Sequence, residues 1–317
     1  MKRFFINILI LIVLLFAIAY FFDFLISSGL KKTEKNQFWT FNKLMNDTIN
    51  ADIIMSGNSR CADSFDPYII DSVLNVNSFN MGIAGQPYVI RDLRQTIYDR
   101  NNKPPKLLIQ NIDYLELYWF RNGFESYPYY PYIWDKDVHK ILRDDSFSWA
   151  EIYLPLYRYR GNYKLMGIGL LELLEIKHFK SPYYKGYHNV DAPYDGNNFR
   201  NMIANGDKIK YGIDTLAFEL MDNLLQRRKN EGTEVILVYA PMYFELKNYL
   251  DLENHDNLLQ IYRDLSLKHN VLLLDYTNLS ICSDSIYFKD TNHLNKIGAE
   301  LFSTKLAHDI DSLGILK

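Results

Sequence analysis

The sequence predicts an α/β fold with a five-stranded parallel sheet and helices on both faces. It also predicts an N-terminal transmembrane helix and an aromatic-rich insertion. Two observations predict the sheet: short apolar runs alternate with amphipathic helical patterns, and glycine or small polar residues follow most of the runs. Strands that are joined by crossover helices pair in parallel and are covered on both faces. A third observation, a long uncharged run at the N-terminus, predicts the membrane span.

The N-terminal segment is the first element. After Lys2 and Arg3, residues 4–22 form an uncharged run of 19 residues, and a helix of that length reaches about 28 Å, close to the hydrocarbon thickness of a bilayer. No small-residue cleavage site follows it, so we expect an uncleaved signal anchor over 1–28, with cleavage as the alternative. The two N-terminal charges favour a cytoplasmic N-terminus, although the lysines after the run weaken this bias. The expected location is therefore the cell membrane, single-pass, with the rest of the chain extracytoplasmic, on the periplasmic side.

The remaining elements follow in chain order, after a polar tether with a short helix at 29–50. Strands are predicted over 52–56, 75–80, 106–112, 234–240 and 271–275. Helices are predicted over 66–74, 87–100, 215–228, 254–269 and 294–313. These elements form one domain over 51–317.

The alternation of strands and helices breaks between 119 and 212, and we interpret this region as an insertion. Its apolar segment 165–176 is too short to span a bilayer and carries two glutamates, which favours a buried helix over an interfacial membrane helix. Its aromatic side chains either pack a small core of the insertion or stack on sugar rings. The aromatic residues in question are Tyr127, Tyr129, Tyr130, Tyr132 and Trp134.

Composition excludes several classes of function. The chain carries a net charge of −3; since Lys2 and Arg3 are both positive, the rest carries −5, without a basic run, so nucleic acid is not an expected partner. Two cysteines exclude a disulfide framework and a cysteine-based zinc site. Cys61 and Cys282 are expected to be free thiols, with a bridge near the site as the alternative. The seven histidines show no metal-ligand spacing, so no metal and no cofactor is assigned.

Two distant segments carry the residues of a candidate catalytic site. Ser59 follows an apolar strand and the turn Gly57-Asn58, an arrangement that presents a nucleophile at a helix start. Asp290 and His293 lie three residues apart before an amphipathic helix, so the carboxylate can lie beside the imidazole. A serine nucleophile needs a neighbouring base, and the base needs a third group that holds its tautomer. A helix cap and a surface imidazole are the structural alternatives.

Further polar and glycine residues follow the other predicted strands. Gly82 and Gly85 follow the second strand, and Asn111 and Asp113 close the third. Because the carboxyl ends of parallel strands meet at one edge of a sheet, these residues are expected to lie near Ser59. The amides of Ser59 and Gly85 are the expected donors to an oxyanion.

These motifs resemble those of the SGNH (GDSL-like) hydrolase superfamily, which has a flavodoxin-like α/β fold. Gly57-Asn58-Ser59 stands where that family has Gly-Asp-Ser, and the segment 80–85 resembles its second block, with Gly85 as the oxyanion glycine. Asp290-x-x-His293 matches the last block, and Leu-Asn-x-x-Gly follows it. The resemblance covers 52–113 and 234–310 and implies a catalytic triad of Ser59, Asp290 and His293.

The third block departs from the family pattern. The family usually has Gly-x-Asn-Asp after the third strand, whereas Asn111-Ile112-Asp113-Tyr114 stands there in this chain. Asp113 then occupies the place of the oxyanion asparagine, and an ionised carboxylate repels an oxyanion. Either Asn111 substitutes, or burial keeps Asp113 protonated, or the oxyanion is bound by two amides alone. A structural or polar-lining role for Asp113 is the further alternative.

The architecture is similar to that of a membrane-anchored subgroup whose members include teichoic-acid D-alanylation and alginate O-acetylation proteins. This resemblance implies a serine O-acyltransferase or acyl esterase that acts on a cell-envelope or exported polysaccharide. The implied partners are the bilayer, a glycan substrate and a membrane-bound acyltransferase. The rival hypothesis is a non-catalytic glycan-binding partner of a membrane-embedded acyltransferase; Asp113 favours it, and the Asp290-x-x-His293 motif opposes it.

Overall fold

The computed structural model describes residues 1–35, 37–46, 48–118, 125–145, 147–181, 183–189, 191–197, 208–209 and 211–316. The chain folds into two compact units. The N-terminal unit contains Met1–Asn46 and Glu125–Ser181, and the sheet unit contains Asp47–Phe124 and Pro182–Lys317. The sequence-based division into 1–28, 29–50 and 51–317, with an insertion over 119–212, groups these residues differently.

The sheet unit contains the expected five-stranded sheet. Its strands are β1 (Ile53–Ser56), β2 (Ser78–Asn80), β3 (Leu107–Ile112), β4 (Glu234–Tyr239) and β5 (Leu272–Asp275). The strands are hydrogen-bonded in the order β2-β1-β3-β4-β5, and every neighbouring pair is parallel. This is the flavodoxin-like order, in which the direction of winding reverses between β1 and β3. The predicted fold class is therefore confirmed.

Helices cover both faces of the sheet. The helices of this unit are α3 (Ser59–Ser64), α4 (Pro67–Leu74), α5 (Tyr88–Asn101), α9 (Thr215–Asn230), α10 (Leu252–His269) and α11 (Lys296–Ser312). On one face, α3, α4 and α11 bury their apolar side chains against alternate residues of β1, β3 and β4. On the other face, α5 packs beside α9, and α9 packs beside α10. Coverage of both faces explains why the strands are apolar runs rather than alternating patterns.

Several element boundaries differ from the predicted ones. The second strand begins at Ser78 rather than at 75, because Asn75 ends α4 in the left-handed conformation, with φ 53° and ψ 53°. A residue in that conformation cannot begin a strand. The last helix begins at Lys296 rather than at 294, because the side chain of Asn295 accepts a hydrogen bond from the backbone N–H of Gly298 and caps the helix.

The N-terminal unit is helical. Its helices are α1 (Lys2–Leu30), α2 (Gln37–Asn46), α6 (Lys136–Asp145), α7 (Trp149–Tyr153) and α8 (Tyr163–Leu173). Among the described residues, α1 is the one helix that is long and apolar enough to cross a membrane, and its apolar stretch is not buried within the protein. Its identification as an anchor stays a prediction.

The last two turns of α1 are buried within the N-terminal unit. Gly29 lies so close to α8 that a Cβ atom there would come within 1.7 Å of the carbonyl oxygen of Gly169. Ile26 and Leu30 pack with Phe38 of α2 in a small apolar core. The short helix predicted within 29–50 corresponds to α2, most of whose apolar side chains are buried.

Most of the aromatic residues predicted in the insertion pack inside this unit. Tyr129 and Tyr132 are buried, and both rings meet Phe41 edge to face. Trp134, by contrast, is 60% exposed. The buried tyrosines therefore pack a small core, which was one of the two predicted roles. Trp134 does not take part in such a core.

A later part of the predicted insertion belongs to the sheet unit. Tyr183–Tyr184 and Tyr187–His188 form a two-stranded antiparallel hairpin. The backbone N–H of Asn80 donates to the carbonyl of Lys185 at 2.8 Å, and Tyr187 is buried in the same core as β1 and β3. This hairpin therefore extends the core beyond the end of β2. The intervening residues 198–207 lie outside the described residues.

Candidate active site

The turn after β1 presents Ser59 at the first position of α3. Asn58 caps the helix, because its Oδ1 accepts a hydrogen bond from the backbone N–H of Arg60 at 2.9 Å. Gly57 allows the close approach of β3: a Cβ atom at this position would lie 2.7 Å from the Cβ of Asn111. Ser59 is partly exposed, whereas its neighbours on both sides are buried. The hydroxyl therefore lies on a rigid turn and is accessible.

The structure brings Ser59, His293 and Asp290 together as the sequence predicts. The Nε2 of His293 lies 2.8 Å from the Oγ of Ser59, and its Nδ1 lies 2.9 Å from each carboxylate oxygen of Asp290. With the proton on Nδ1 donated to Asp290, Nε2 is left to accept the proton of the serine hydroxyl. These contacts have the geometry of the serine–histidine–carboxylate arrangement that activates nucleophilic serines in known enzymes.

The loop after β5 fixes the position of Asp290. Its Oδ1 accepts hydrogen bonds from the backbone N–H groups of Asn292 at 2.8 Å and His293 at 2.9 Å. Burial acts to raise the pKa of Asp290, but the hydrogen bond and charge of His293, with those backbone donors, outweigh it and hold the pKa below its ordinary value. Asp290 is therefore ionised at neutral pH and can stabilise an imidazolium.

The segment after β2 lies beside the Ser59 turn. The backbone N–H of Ile83 donates to the carbonyl of Gly57 at 3.1 Å, and that of Gly82 donates to the side chain of Asn80 at 2.8 Å. Gly85 lies at the exposed end of this segment in the left-handed region, with φ 62°. Its role as an oxyanion donor stays a prediction.

Asn111 and Asp113 are fully buried, so neither side chain is exposed at the site. The Oδ2 of Asp113 accepts a hydrogen bond from the Nδ2 of Asn58 at 2.7 Å, and its Oδ1 accepts one from the backbone N–H of Leu115 at 2.7 Å. The Nε of Arg60 lies 3.9 Å from Oδ2. Asp113 is therefore a buried hydrogen-bond acceptor beneath the turn that carries Ser59. This position agrees with the alternative in which Asp113 has a structural role.

Asn111 lies in the same buried region. Its Nδ2 is 3.5 Å from Asp113, and its Oδ1 has no hydrogen-bond partner among the described residues. The side chain packs against Gly57, at the base of the turn that carries Ser59. In this position Asn111 contacts the backbone of the nucleophile turn and is shielded from solvent.

Glu116 belongs to the same polar network, and the sequence analysis missed it. Arg91 donates to its carboxylate at 3.1 Å and to its backbone carbonyl at 2.7 Å, and Gln110 donates to the carboxylate at 3.2 Å. Burial raises the pKa of Glu116 to about 8, against the lowering effects of Arg91, the backbone N–H of Asn58 and Gln110. Glu116 therefore links α5 to the end of β3 from within the core. The sequence feature that could have identified Glu116 is the pair of acids Asp113 and Glu116, which lie three residues apart directly after a buried strand.

A second cluster that the sequence analysis missed lies on the other side of α3. Asp63 is buried and accepts from the Nζ of Lys289 at 2.7 Å, and its other oxygen lies 2.9 Å from the Nδ1 of His188. Burial acts to raise the pKa of Asp63, but the hydrogen bond with His188 and the charges of His293 and Lys289 lower it below its ordinary value. The cluster connects α3, the hairpin and the loop of Asp290. Only the tertiary structure brings these three segments together.

The two cysteines are not bridged to each other. Cys61 and Cys282 are both buried free thiols. Within the described ranges, no group of three or more His, Cys, Asp or Glu side chains is arranged to hold a metal ion.

Comparisons with known proteins find distant structural similarity. The lipase/acylhydrolase from Enterococcus faecalis matches with a TM-score of 0.41 at 12% identity, over 82% of this chain and 95% of the other. A family two carbohydrate esterase from Clostridium thermocellum, in complex with cellohexaose, matches with a TM-score of 0.40 at 10% identity, over 85% of this chain and 66% of the other. No protein-family model and no curated protein sequence matches this chain. Since the similarity is this low, the functional proposal is drawn from the side chains of the site alone.

Proposed function

We propose that this protein is a membrane-anchored serine enzyme of the SGNH type that transfers or hydrolyses acyl groups bound as esters. The observation that carries the proposal is the contact of 2.8 Å between Ser59 Oγ and His293 Nε2, with Asp290 on the other nitrogen of the ring. These three side chains lie beyond the carboxyl ends of β1 and β5, where ligands of open parallel sheets bind.

The first half of the reaction forms an acyl-enzyme. Ser59 Oγ attacks the carbonyl carbon of the ester while its proton passes to Nε2 of His293, and Asp290 stabilises the imidazolium. The backbone amides of Ser59 and Gly85 bind the oxyanion of the tetrahedral intermediate. When the bond to the alcohol oxygen breaks, His293 gives the proton to that oxygen, and the acyl group remains on Ser59.

The second half releases the acyl group. A hydroxyl group of a glycan, or water, attacks the acyl carbon and gives its proton to His293. The bond to Ser59 Oγ then breaks, and His293 returns the proton to the serine. With a glycan hydroxyl the protein is an O-acyltransferase, and with water it is an acyl esterase. An extracytoplasmic site on an anchored chain suits a cell-envelope or exported polysaccharide.

The rival hypothesis of a non-catalytic glycan-binding partner depended on Asp113 as a carboxylate at the oxyanion position. In the structure Asp113 is buried, and both its oxygens accept hydrogen bonds from protein N–H groups. The reason to expect repulsion of an oxyanion is therefore removed. The rival then differs from the proposal in one measurable property, the reactivity of Ser59.

The test is covalent labelling of the full chain, in detergent, with a fluorophosphonate that traps activated serines. We expect one label per chain at Ser59, no labelling of Ser59→Ala, and normal labelling of Ser312→Ala, which removes an exposed serine from α11. Mass spectrometry of the peptides identifies the labelled residue. If the wild-type protein stays unlabelled at Ser59 while it is folded, the catalytic proposal is wrong and the binding-partner hypothesis replaces it.

A further inference from the structure

A cavity in the N-terminal unit combines aromatic and cationic side chains. Its volume is about 480 Å³, and its lining contains two aromatic rings, three cations and a histidine: Trp134, Lys136, His139, Lys140, Arg143 and Tyr153. We call these six residues the aromatic–basic patch. No carboxylate lines the cavity among the described residues, although Arg143 donates from Nε to the exposed Asp144 at 2.9 Å.

Helix α6 supplies the cations from one face. Lys136, Lys140 and Arg143 are spaced by four and three residues, so their side chains lie along one side of the helix. The opposite side buries Val138 and Leu142, both with no exposed surface. Because this burial fixes the rotation of the helix, the three cations face outward together.

The aromatic rings of the patch form a contiguous group. Trp134 stacks on His139 with their ring planes 19° apart, and its ring centre lies 6.0 Å from that of Tyr153. The ring centre of Trp149, which is 66% exposed, lies 5.8 Å from that of Tyr153. Since Trp134 is 60% exposed as well, the rings cover little of each other and present indole groups to the surroundings.

The patch lies where α1 passes from an exposed to a buried environment. The hydroxyl of Tyr20 donates to the backbone carbonyl of Tyr153 at 2.5 Å. The large apolar side chains of α1 are exposed as far as Phe24, whereas Asp23 is 6% exposed and forms an ion pair with Arg158, and Ile26 is buried. The exposed apolar stretch of α1 therefore ends about one helical turn beyond Tyr20, and the residue that Tyr20 contacts, Tyr153, lines the cavity.

Tryptophan, tyrosine, lysine and arginine are the residues that proteins place at the level of lipid headgroups. Indole and phenol rings lie between the hydrocarbon and the water, and each Lys or Arg near the surface attracts anionic lipid by about 1 kcal/mol. We propose that the aromatic–basic patch binds the phosphate of an anionic phospholipid headgroup in the leaflet where α1 ends. This inference rests on the proposed membrane anchoring.

The position of the patch favours lipid over the other ligands that aromatic and cationic groups bind. A sugar ring would use the exposed indole of Trp134 but not three cations. An acidic protein segment would use the cations, but it would not explain why the patch adjoins the end of an exposed apolar helix. A headgroup uses both features, because its phosphate meets the cations while the aromatic rings lie against its glycerol and upper acyl chains.

The experiment measures lipid preference of the full chain. Wild-type protein is placed in nanodiscs or mixed micelles that contain phosphatidylglycerol and phosphatidylcholine, and native mass spectrometry counts the lipids that stay bound. The test variant is K136Q/K140Q/R143Q. The matched control is K164Q/K177Q/K180Q, which removes three exposed cations from the same unit. We expect the test variant to lose its preference for phosphatidylglycerol by about 10- to 100-fold, since three charges are removed, and the control to keep it.

Several outcomes overturn the proposal. Preference retained by the test variant, equal loss in the control, or full displacement of phosphatidylglycerol by millimolar inorganic phosphate each shows that the patch is not a headgroup site. Preferential capture of a soluble glycan or an acidic peptide would assign it another ligand. Fluorophosphonate labelling of Ser59 and the intact mass of the chain are measured on the same samples. A wild-type protein that is labelled normally at Ser59 but shows no preference for phosphatidylglycerol means that this site fails while the proposed chemistry stands.

Discussion

The turn that follows β3 and the loop that follows β5 each bring one aspartate close to Ser59, but the two carboxylates have different surroundings. The side chain of Asp290 is 31% exposed and bonds to an imidazole, whereas that of Asp113 is fully buried and bonds to an amide side chain and a backbone N–H. An imidazole changes its protonation state during catalysis, and an amide does not. The comparison teaches that the surroundings of Asp290 suit the proposed transfer of a proton through His293, whereas those of Asp113 suit the support of the turn.

The largest expected loss of rate comes from substitution of Asp290 and of the two residues that it is proposed to act with. Asp290→Asn keeps an acceptor for the backbone but allows the wrong imidazole tautomer, and in the serine-protease template this change costs roughly 10⁴-fold in rate. Ser59→Ala and His293→Ala should abolish turnover to a similar extent, and the double variant should be hardly worse, because triad residues act as a unit. Turnover of an activated acetyl ester and thermal melting are measured on each variant.

The matched control for Asp290→Asn is Asp284→Asn, because Asp284 caps a short helix in the same segment and makes no contact with His293 among the described interactions. We expect the control to keep its rate. If Asp290→Asn loses about 1 kcal/mol of stability with little change in rate, Asp290 is only a cap. Additive losses in the double variant would likewise contradict the triad.

The second effect sharpens the account of Asp113. Asp113→Asn leaves one oxygen for two donors, Asn58 Nδ2 and Leu115 N–H, so one buried donor loses its acceptor at a cost of about 1–3 kcal/mol. If the whole of this free energy is added to the activation barrier of the labelling reaction, labelling of Ser59 slows about 5- to 150-fold. Asn58→Asp should be at least as harmful, since it places two carboxylates side by side.

The exchange N58D/D113N should rescue both single variants. An aspartate at 58 can still accept from the backbone N–H of Arg60 while it accepts from an asparagine amide at 113, whose oxygen accepts from Leu115. The hydrogen bonds that residues 58 and 113 make with each other, with Arg60 and with Leu115 are then restored with the roles reversed. The double variant also has the residues of the SGNH pattern that the sequence resembles, with Asp before the serine and Asn after the third strand. A double variant no better than the single ones would show that the pair does not position Ser59.

The smallest effect concerns Glu116 and its pH dependence. Burial raises the pKa of Glu116 to about 8 in the folded chain, whereas a glutamate in the unfolded chain has a pKa of about 4.3. The folded chain therefore binds the carboxyl proton of Glu116 more tightly than the unfolded chain does. This contribution to stability is fully present below about pH 4 and is lost as the pH rises towards 8. We expect the Tm of the wild type to fall between pH 5 and 9 more steeply than that of Glu116→Gln.

Glu253→Gln is the control for this measurement, because Glu253 is an exposed acid of α10. Its melting curve should follow the wild type at every pH. Parallel dependence of Tm on pH in the wild type and in Glu116→Gln would mean that Glu116 is ionised in the folded protein throughout this range. The Arg91 pair would then outweigh burial.

Local patterns in the sequence determined most of the sheet unit. Each strand is a short apolar run, and each helix has a periodic apolar face, because burial on a sheet with two covered faces requires both. The positions of Ser59, Asp290 and His293 followed from short motifs whose geometry is set within a few residues. The start of β2 was placed too early, because the left-handed conformation of Asn75 is not a property of an apolar pattern.

Only the tertiary structure decided how distant polar residues pair. Asn58 meets Asp113 across β1 and β3, and Asp63 meets His188 from a hairpin that the sequence placed in an insertion. A buried polar group must find a partner, but its sequence does not say which one, because the partner is brought near by strand order and helix packing. The sequence by itself therefore determined which residues could do the chemistry and which carboxylate lies beside the histidine, and the fold decided which carboxylate holds the turn.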